Sequence, residues 1–270
     1  MPAGLIDSHC HPPADDPPAL REWIARALEA GVHEIIAIGT DTDDWEAYRR
    51  LSSAYRGIVH WTAGLHPGHV GEDYLAKLEA LPDFLSRKRD PAPCAIGEIG
   101  LDFTRLPKDD REERIGWQRD AFARQLRLAR SVGLPVVVHS RGTVSECLEG
   151  LAGEGFPGEK VVFHCFAEGP ESLAAVREYG CRCSFTGLVT FKNAANVREA
   201  LRLHGLGELM LETDSPYLSP EPFRGKPNHP ARTAVVAEFC ADLFGTDPDG
   251  IAKVTTRNTR RFFGLRPGAD

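Results

Sequence analysis

The stretch LIDSHCHP at residues 5–12 begins as a short apolar run and ends in two histidines separated by one residue. Successive side chains of a β-strand point to opposite faces, so a strand here places His9 and His11 on one side and Cys10 on the other. Paired imidazoles suit zinc, iron, copper or nickel, and a bound divalent ion lowers the pKa of its water to about 7. The pattern predicts a strand that offers two metal ligands, although His-x-His pairs also occur on ordinary solvated strand ends.

Seven further apolar runs resemble the first. The eight predicted strands cover residues 5–9, 34–39, 58–64, 94–101, 134–139, 161–166, 182–189 and 209–213. Most are continuously apolar, as in strands buried on both faces of a parallel sheet. Segments with helical spacing separate them, and Gly31, Gly133 and Gly180 follow three of these segments where a left-handed C-cap would end a helix.

This alternation of strands and helices predicts right-handed crossovers and a parallel sheet, and hence the α/β class. Eight units in about 220 residues match a (β/α)8 TIM barrel, for which about 250 residues is typical. A doubly wound open sheet is the alternative, but its usual Gly-rich phosphate loop is absent after the first strand. We predict one barrel domain over residues 1–270.

Composition narrows the possible functions. The chain has 270 residues, 42% of them hydrophobic, a formal net charge of -7 and seven scattered cysteines. The charge disfavours broad capture of duplex DNA but allows a strand end to enter a pocket. The odd cysteine count does not predict a disulfide framework. Without a membrane-spanning run or a signal-peptide pattern, we expect a cytoplasmic protein with no membrane partner, and its oligomeric state is not indicated.

Polar side chains recur at the carboxyl ends of the later predicted strands, where the active sites of such barrels are built. They are His66, Glu98, His139, His164 and Asp214. Each has an ordinary alternative, since a lone histidine can be structural and an aspartate before Ser-Pro can cap a turn. Burying all of them without compensating cations is costly, so a metal cluster explains them together. We expect the remaining histidines at strand starts or in helices to lie at the surface, namely His33, His60, His69 and His204.

The chain resembles the TatD-type metal-dependent deoxyribonucleases of the amidohydrolase-like barrels. The matching motifs are DSHCH (7–11), GLHP (64–67), GEIGLD (97–102), VHSR (138–141), HCF (164–166) and ETDSPYL (212–218). They occur in the family's order across nearly the whole chain. Ala167 and Glu168 before Gly169, Phe103 in place of a common tyrosine, and His229 in place of an acid depart from the family pattern, and these departures bear on substrate preference rather than on the ligand positions.

The resemblance implies a site for two divalent metal ions. His9, His11 and Asp214 would bind one ion, His139 and His164 the other, and Glu98 would bridge them. Four histidines favour zinc, nickel or iron, whereas carboxylates and phosphate chemistry also suit magnesium or manganese, so the identity of the ions stays open.

The implied activity is hydrolysis of phosphodiester bonds in DNA, of the 3′–5′ exonuclease type, with single-stranded ends as the partner. We expect Asp214 and Glu98 to act in catalysis, with Asp214 as general base on the water between the ions. His66 and Arg224 would face the phosphate, and Asn228 is a further expected substrate contact. A loop salt bridge explains Arg224 equally well.

Two observations leave other functions open. Phe103 or Tyr217 could stack on a base of the strand end, or either ring could simply pack. Related barrels that hydrolyse lactones, amides or phosphotriesters often bridge their ions with a carboxylated lysine on the fourth strand, whereas Glu98 stands there and no predicted strand contains a lysine. An amidohydrolase acting on small esters or amides is therefore less favoured, and a metal-binding scaffold without turnover is a third hypothesis.

Overall fold

All eight predicted strands are present in the computed structural model, which describes residues 4–86 and 90–266. The strands are β1 (Leu5–Cys10), β2 (Val32–Ala37), β3 (Val59–Ala63), β4 (Ala95–Asp102), β5 (Val136–Arg141), β6 (Val161–Phe163), β7 (Arg182–Phe185) and β8 (Met210–Leu211). The α-helices formed by the described residues are α1 (Pro17–Glu29), α2 (Thr42–Ala54), α3 (Tyr74–Leu85), α4 (Arg111–Val132), α5 (Val144–Gly153), α6 (Pro170–Glu178), α7 (Ala195–His204), α8 (Thr233–Phe244) and α9 (Pro248–Phe263).

The strands form a ring in chain order. Each strand pairs in parallel with the next, from β1 to β8. The ring closes where the N–H of His11 donates to the carbonyl of Ser215 (2.8 Å) and the N–H of Asp214 donates to the carbonyl of His9 (2.9 Å). The predicted (β/α)8 TIM barrel is confirmed, and the doubly wound alternative is wrong.

Three glycines turn the chain from helix to strand as predicted. Gly133 caps α4 with φ 74°, while Gly31 and Gly180 follow α1 and α6 with φ 78° and 88°. Glycine adopts this left-handed conformation without the steric penalty of a Cβ atom. Each turn directs the next strand back into the sheet.

Apolar side chains fill the interior of the barrel. Ile36, Val137 and Met210 belong to one buried cluster, and Phe262 and Phe263 of α9 pack into the same cluster. The eight-unit prediction did not include α9, which follows the eighth unit. Its two rings plug the interior of the barrel at the end where the strands begin.

Two strands depart from regular pairing. The register of β1 against β2 shifts within residues 7–10, and that of β4 against β5 shifts within residues 96–99. Irregularities of this kind redirect side chains and are common beside functional sites. His9 and Glu98 lie within the shifted stretches.

The last three strands are shorter than predicted. The runs at 161–166, 182–189 and 209–213 leave the sheet after Phe163, Phe185 and Leu211. Cys165 and Asp214 take positive φ angles (47° and 54°), which end an extended strand, and residues 187–190 form a 3-10 turn. Continuous hydrophobicity does not distinguish these buried turns from strand.

Candidate metal centre

Several predicted ligands stand two residues beyond an apolar side chain of the barrel interior. Val137 precedes His139 on β5 in this way, and Val162 precedes His164 at the end of β6. Because side chains alternate along a strand, a residue two positions further along faces the same interior. The same two-residue spacing places Glu212 beyond Met210, so the carboxyl end of the barrel is lined with ionisable groups.

His9 and His11 share one side of β1, as predicted. Their Nε2 atoms are 3.3 Å apart. The Sγ of Cys10 points away and contacts the carbonyl of Ile36 at 3.4 Å. Cys10 therefore packs among the apolar residues between sheet and helices.

Glu98 lies between the histidine groups. Its Oε1 is 2.7 Å from Nδ1 of His139 and 2.6 Å from Nε2 of His164. Its Oε2 is 3.4 Å from Nε2 of His9 and 3.9 Å from Nε2 of His11. The two oxygens of one buried carboxylate thus face two different pairs of imidazoles.

Asp214 completes the group around β1. Its Oδ1 lies 3.6 Å from Nε2 of His9 and 3.5 Å from Nε2 of His11. The left-handed backbone at Asp214, which aspartate tolerates better than most residues, directs the carboxylate back to these rings. His9, His11 and Asp214 form one of the ligand groups close enough to share an ion.

Outer contacts determine which nitrogen of each histidine faces the centre. The carbonyl of Ile38 lies 3.1 Å from Nδ1 of His11 and can only accept, so Nδ1 carries the proton and Nε2 presents its lone pair inward. Asp102 is 3.5 Å from the outer Nε2 of His139, and Glu212 is 3.6 Å from the outer Nδ1 of His164. Carboxylates behind ligating histidines orient the ring and raise its basicity.

Asp102 and Glu212 are functional residues that the sequence analysis quoted within motifs but assigned no role. Glu212 also accepts hydrogen bonds from the N–H of Cys165 (2.5 Å) and the hydroxyl of Ser184 (2.6 Å). It therefore ties β8 to the two strands before it. The inward spacing from Met210 was the signal that could have identified it.

His66 differs from the other histidines of the centre. Its Nε2 is 3.4 Å from Oε1 of Glu98, but its Nδ1 accepts a hydrogen bond from the N–H of Gly68 (2.9 Å). The neutral ring must then carry its proton on Nε2. His66 presents an N–H donor to the centre, whereas His11 presents a lone pair.

The carboxylates of the centre are anionic at neutral pH. Burial opposes ionisation of Glu98, but electrostatic interactions with His164 and His66 and hydrogen bonds with His139 and His164 hold its pKa well below the usual range. Burial likewise opposes ionisation of Asp214, yet its hydrogen bond with His11 and nearby histidine charge lower its pKa.

The histidine pKa values follow their surroundings. Burial lowers the pKa of His66 below 6.5. Burial acts in the same direction on His164, but Glu98 and Glu212 outweigh it and raise that pKa well above 6.5. Protons therefore compete with a metal ion for His164.

Asp7 lies beneath the centre and closes the barrel. Its carboxylate accepts hydrogen bonds from the backbone N–H (3.0 Å) and the hydroxyl (2.5 Å) of Thr213, and from the N–H of His9 (3.2 Å). Burial raises the pKa of Asp7 to about 8 despite these donors. Asp7 joins β1 to the segment that follows β8.

The donor set fits divalent metal ions. Ligands about 2.1 Å from one tetrahedral ion are roughly 3.4 Å apart, and the nitrogens of His9 and His11 are separated by 3.3 Å. Among the described residues, no lysine or arginine forms an ion pair with Glu98 or Asp214. Imidazoles and carboxylates are also the ligand types that zinc and manganese accept.

The predicted substrate contacts differ in their surroundings. Arg224 is exposed on the loop after β8, has no carboxylate partner within the described residues, and lies with Cζ 4.4 Å from the ring centroid of Phe191. Asn228 is buried, and its amide donates to the carbonyls of Thr213 (3.0 Å) and Tyr217 (2.7 Å). Its side chain supports the loop in this conformation, so the predicted direct contact with substrate has no free amide hydrogen.

Two histidines expected at the surface are half-buried instead. His60 pairs with Glu34 at 2.8 Å, and His204 accepts the N–H of Cys183 through Nε2 at 3.4 Å. His33 and His69 are exposed as expected. Strand starts at the plugged end of this barrel are covered by α9, which the prediction lacked. No α-helix in the described ranges combines the length and hydropathy needed to cross a membrane.

Comparison with known proteins gives a consistent result. The model of the family described as TatD related DNase matches residues 6–264. The uncharacterized metal-dependent hydrolase YcfH of Escherichia coli K12 is 34% identical over 97% of this chain and 96% of its own length. The uncharacterized metal-dependent hydrolase TatD of Mycobacterium tuberculosis is 31% identical over 97% and 98%. The crystal structure of YjjV, a TatD homologue from Escherichia coli K12, has a TM-score of 0.88 at 30% identity and covers 98% of this chain and 100% of its own.

Proposed function

This chain belongs to the family of TatD related DNases and is a metal-dependent hydrolase, and on that premise we propose that it hydrolyses phosphodiester bonds at the 3′ ends of single-stranded DNA. The observation that carries the proposal is the position of Glu98. One of its oxygens faces His139 and His164, and the other faces His9 and His11.

This arrangement supports two ions. His9, His11 and Asp214 would hold one ion and His139 and His164 the other, with one oxygen of Glu98 directed to each. When bound, such ions lower the pKa of a water, polarise the phosphoryl oxygen and stabilise the leaving oxygen.

Charge supports metal binding at this centre. Four carboxylates line or back it, namely Asp102, Glu98, Glu212 and Asp214. Bound divalent cations would compensate negative charge that is otherwise costly in a buried site.

The protein groups have separate tasks in hydrolysis. Asp214, kept ionised by its lowered pKa, accepts the proton of the attacking water. His66, kept neutral by burial, donates its Nε2 proton in a hydrogen bond to a phosphate oxygen. Arg224 offers two parallel N–H donors to the same phosphate.

The loops around the centre support an anionic polymer as substrate. Exposed cations lie at the end of β5 and on the loops after β7 and β8, namely Arg141, Lys192, Arg224 and Lys226. The chain as a whole carries a charge of -7, so contact with a phosphate backbone would depend on individual side chains such as these. Attraction of this kind weakens with added salt.

The test is hydrolysis of single-stranded oligonucleotides, labelled at either end, by metal-stripped protein resupplied with magnesium, manganese or zinc. We expect metal-dependent loss of a 3′ label at once and stepwise shortening of a 5′-labelled strand. The double variant His139→Ala/Glu98→Ala should be inactive. His33→Ala removes an exposed histidine at the plugged end of the barrel and serves as the matched control.

Other outcomes would change the assignment. Internal fragments would indicate an endonuclease, and immediate loss of the 5′ label would indicate the opposite polarity. Intact oligonucleotide with every ion, together with metal-dependent turnover of aryl esters or amides, would favour the small-molecule amidohydrolase. Metal binding without any turnover would favour a scaffold.

A further inference from the structure

We propose that the ring of Tyr217 is the platform on which the terminal base of the substrate strand stacks. The inference rests on the proposed nuclease function and adds how the enzyme holds the strand end. It also distinguishes between the two aromatic side chains that the sequence offered.

Tyr217 is unusual in its exposure. Its side chain is 63% exposed, whereas Trp45, Trp61 and Tyr48 are buried. Among the described residues, the other large apolar side chains exposed to a comparable degree are single leucines on helices. A single exposed apolar side chain is ordinary in itself, but an aromatic ring beside the centre offers a free face to a ligand.

The backbone that carries Tyr217 is firmly held. Its N–H donates to the carbonyl of Asp214 (2.9 Å), and its carbonyl accepts from the amide of Asn228 (2.7 Å). The N–H of Asn228 also donates to the carbonyl of Pro216 (2.9 Å). A ring on a rigid turn loses less conformational entropy on binding than a ring on a mobile loop.

The ring also stands next to the centre. Its centroid is 6.5 Å from that of His11, and the two planes are inclined by 63°. The turn that holds Tyr217 begins at Asp214, so the platform and one carboxylate of the centre are three residues apart. A nucleotide whose phosphate reaches the centre brings its base within reach of this ring.

Phe103 does not offer the same surface. It is half-buried against the main core cluster, and the guanidinium of Arg119 lies 6.0 Å from its ring centroid. One of its faces is therefore occupied by the protein.

Stacking on Tyr217 requires an unpaired, unstacked base. It therefore favours single strands and frayed ends over blunt duplex ends, and it tolerates any base because every base has a π-face. The structure thus points to discrimination by strandedness rather than by sequence.

The experiment compares two oligonucleotides that differ only in the presence of the 3′-terminal base. The measured quantity is the ratio of kcat/KM for the base-bearing end to that for the abasic end, in saturating metal. Tyr217→Leu should lower this ratio by about 5-fold to 150-fold, the range that base stacking provides. Tyr217→Phe keeps the ring and should restore most of the ratio, and Leu203→Ala, an exposed apolar side chain on α7, is the control.

A second measurement does not depend on turnover. An oligonucleotide with 2-aminopurine at its 3′ end should lose fluorescence on binding the chelator-treated wild type and keep it with Tyr217→Leu. An unchanged kcat/KM ratio and equal quenching would overturn the platform while leaving the nuclease in place. A wild type that cleaves neither oligonucleotide would overturn both proposals.

Discussion

Both ends of the barrel contain buried carboxylates and histidines, but the negative charge of the carboxylates is compensated differently at each end. At the plugged end, buried Glu34 is paired with both His60 and Arg260. At the open end, the ion pairs that Glu98 and Asp214 form with other described residues are all with histidines. The protein supplies its own cation where it needs stability, and it leaves the open end to be balanced by metal ions.

The difference lies in what each end must do. Arg260 is carried by α9 beside Glu34, so the cation at the plugged end is part of the fold. Imidazole is neutral or charged near neutral pH, and as the neutral ring it binds metals. The histidines at the open end can therefore release a proton and bind a metal ion, as the ligands of a metal-dependent hydrolase must.

The largest effect is expected where the balance depends on Glu98. Glu98→Gln removes the charge shared by both ligand groups, so oligonucleotide hydrolysis should fall by at least about 10³-fold. Metal content, measured by mass spectrometry after dialysis, should fall in parallel. Retention of full metal content together with activity would show that Glu98 does not bridge.

The plugged end should respond in stability instead. Glu34→Gln leaves the half-exposed Arg260 without its anionic partner, and the free energy of unfolding should fall by about 1.5 kcal/mol in denaturant titrations. Metal content and kcat should stay at the wild-type values below the unfolding transition. A loss of metal in this variant would contradict the separation of the two ends.

The same pair predicts a pH dependence. Burial would raise the pKa of Glu34, but His60 and Arg260 together lower it below the usual 4.5. A carboxyl group with a lowered pKa stabilises the fold fully above the unfolded value and loses this contribution as pH falls through the folded pKa. The stability difference between wild type and Glu34→Gln should therefore shrink below about pH 4.3.

An intermediate effect is expected for Glu212, whose carboxylate lies beside the outer nitrogen of His164. Glu212→Gln keeps the shape of the side chain but weakens its interaction with His164, so affinity for the ion on that side should fall about 10-fold to 100-fold. Competition with a chromophoric chelator measures this affinity. Equal weakening of both ions would indicate a loss of local structure rather than an effect through His164.

The smallest effect is expected at Cys10, between two ligands in sequence but on the other face of β1. Cys10→Ala should lower the free energy of unfolding by about 1 kcal/mol and leave metal stoichiometry unchanged. Loss of an ion here would mean that the thiol joins the site, against its contact with the carbonyl of Ile36.

The ring of strands could be predicted from the sequence, and so could the positions where ionisable side chains end the strands. Both follow from short-range sequence patterns. Repeated apolar runs indicate a parallel barrel, and His139 and His164 lie where such runs end. The clustering of these ligands follows from topology, since parallel strands in a closed ring bring their carboxyl ends together.

What could not be predicted depends on contacts between distant segments. The orientation of His139 by Asp102 requires the geometry of two neighbouring strands. The engagement of the Asn228 amide by its own loop, and the covering of His60 beside α9, are likewise tertiary effects. Sequence spacing shows which residues can face a site, but not which of their polar atoms already form hydrogen bonds within the protein.

The hydrogen bonds between Asp7 and Thr213 join residues 206 positions apart, and the ligand group of His9, His11 and Asp214 joins the same two ends of the chain. A nascent chain exposes His9 and His11 long before the carboxylate of Asp214 has been made. At about 5 to 20 residues per second, that interval is on the order of 10 to 40 s on the ribosome. An ion bound by His9, His11 and Asp214 would therefore be inserted only late in biosynthesis, and a chain that ends before β8 would lack one of its ligands.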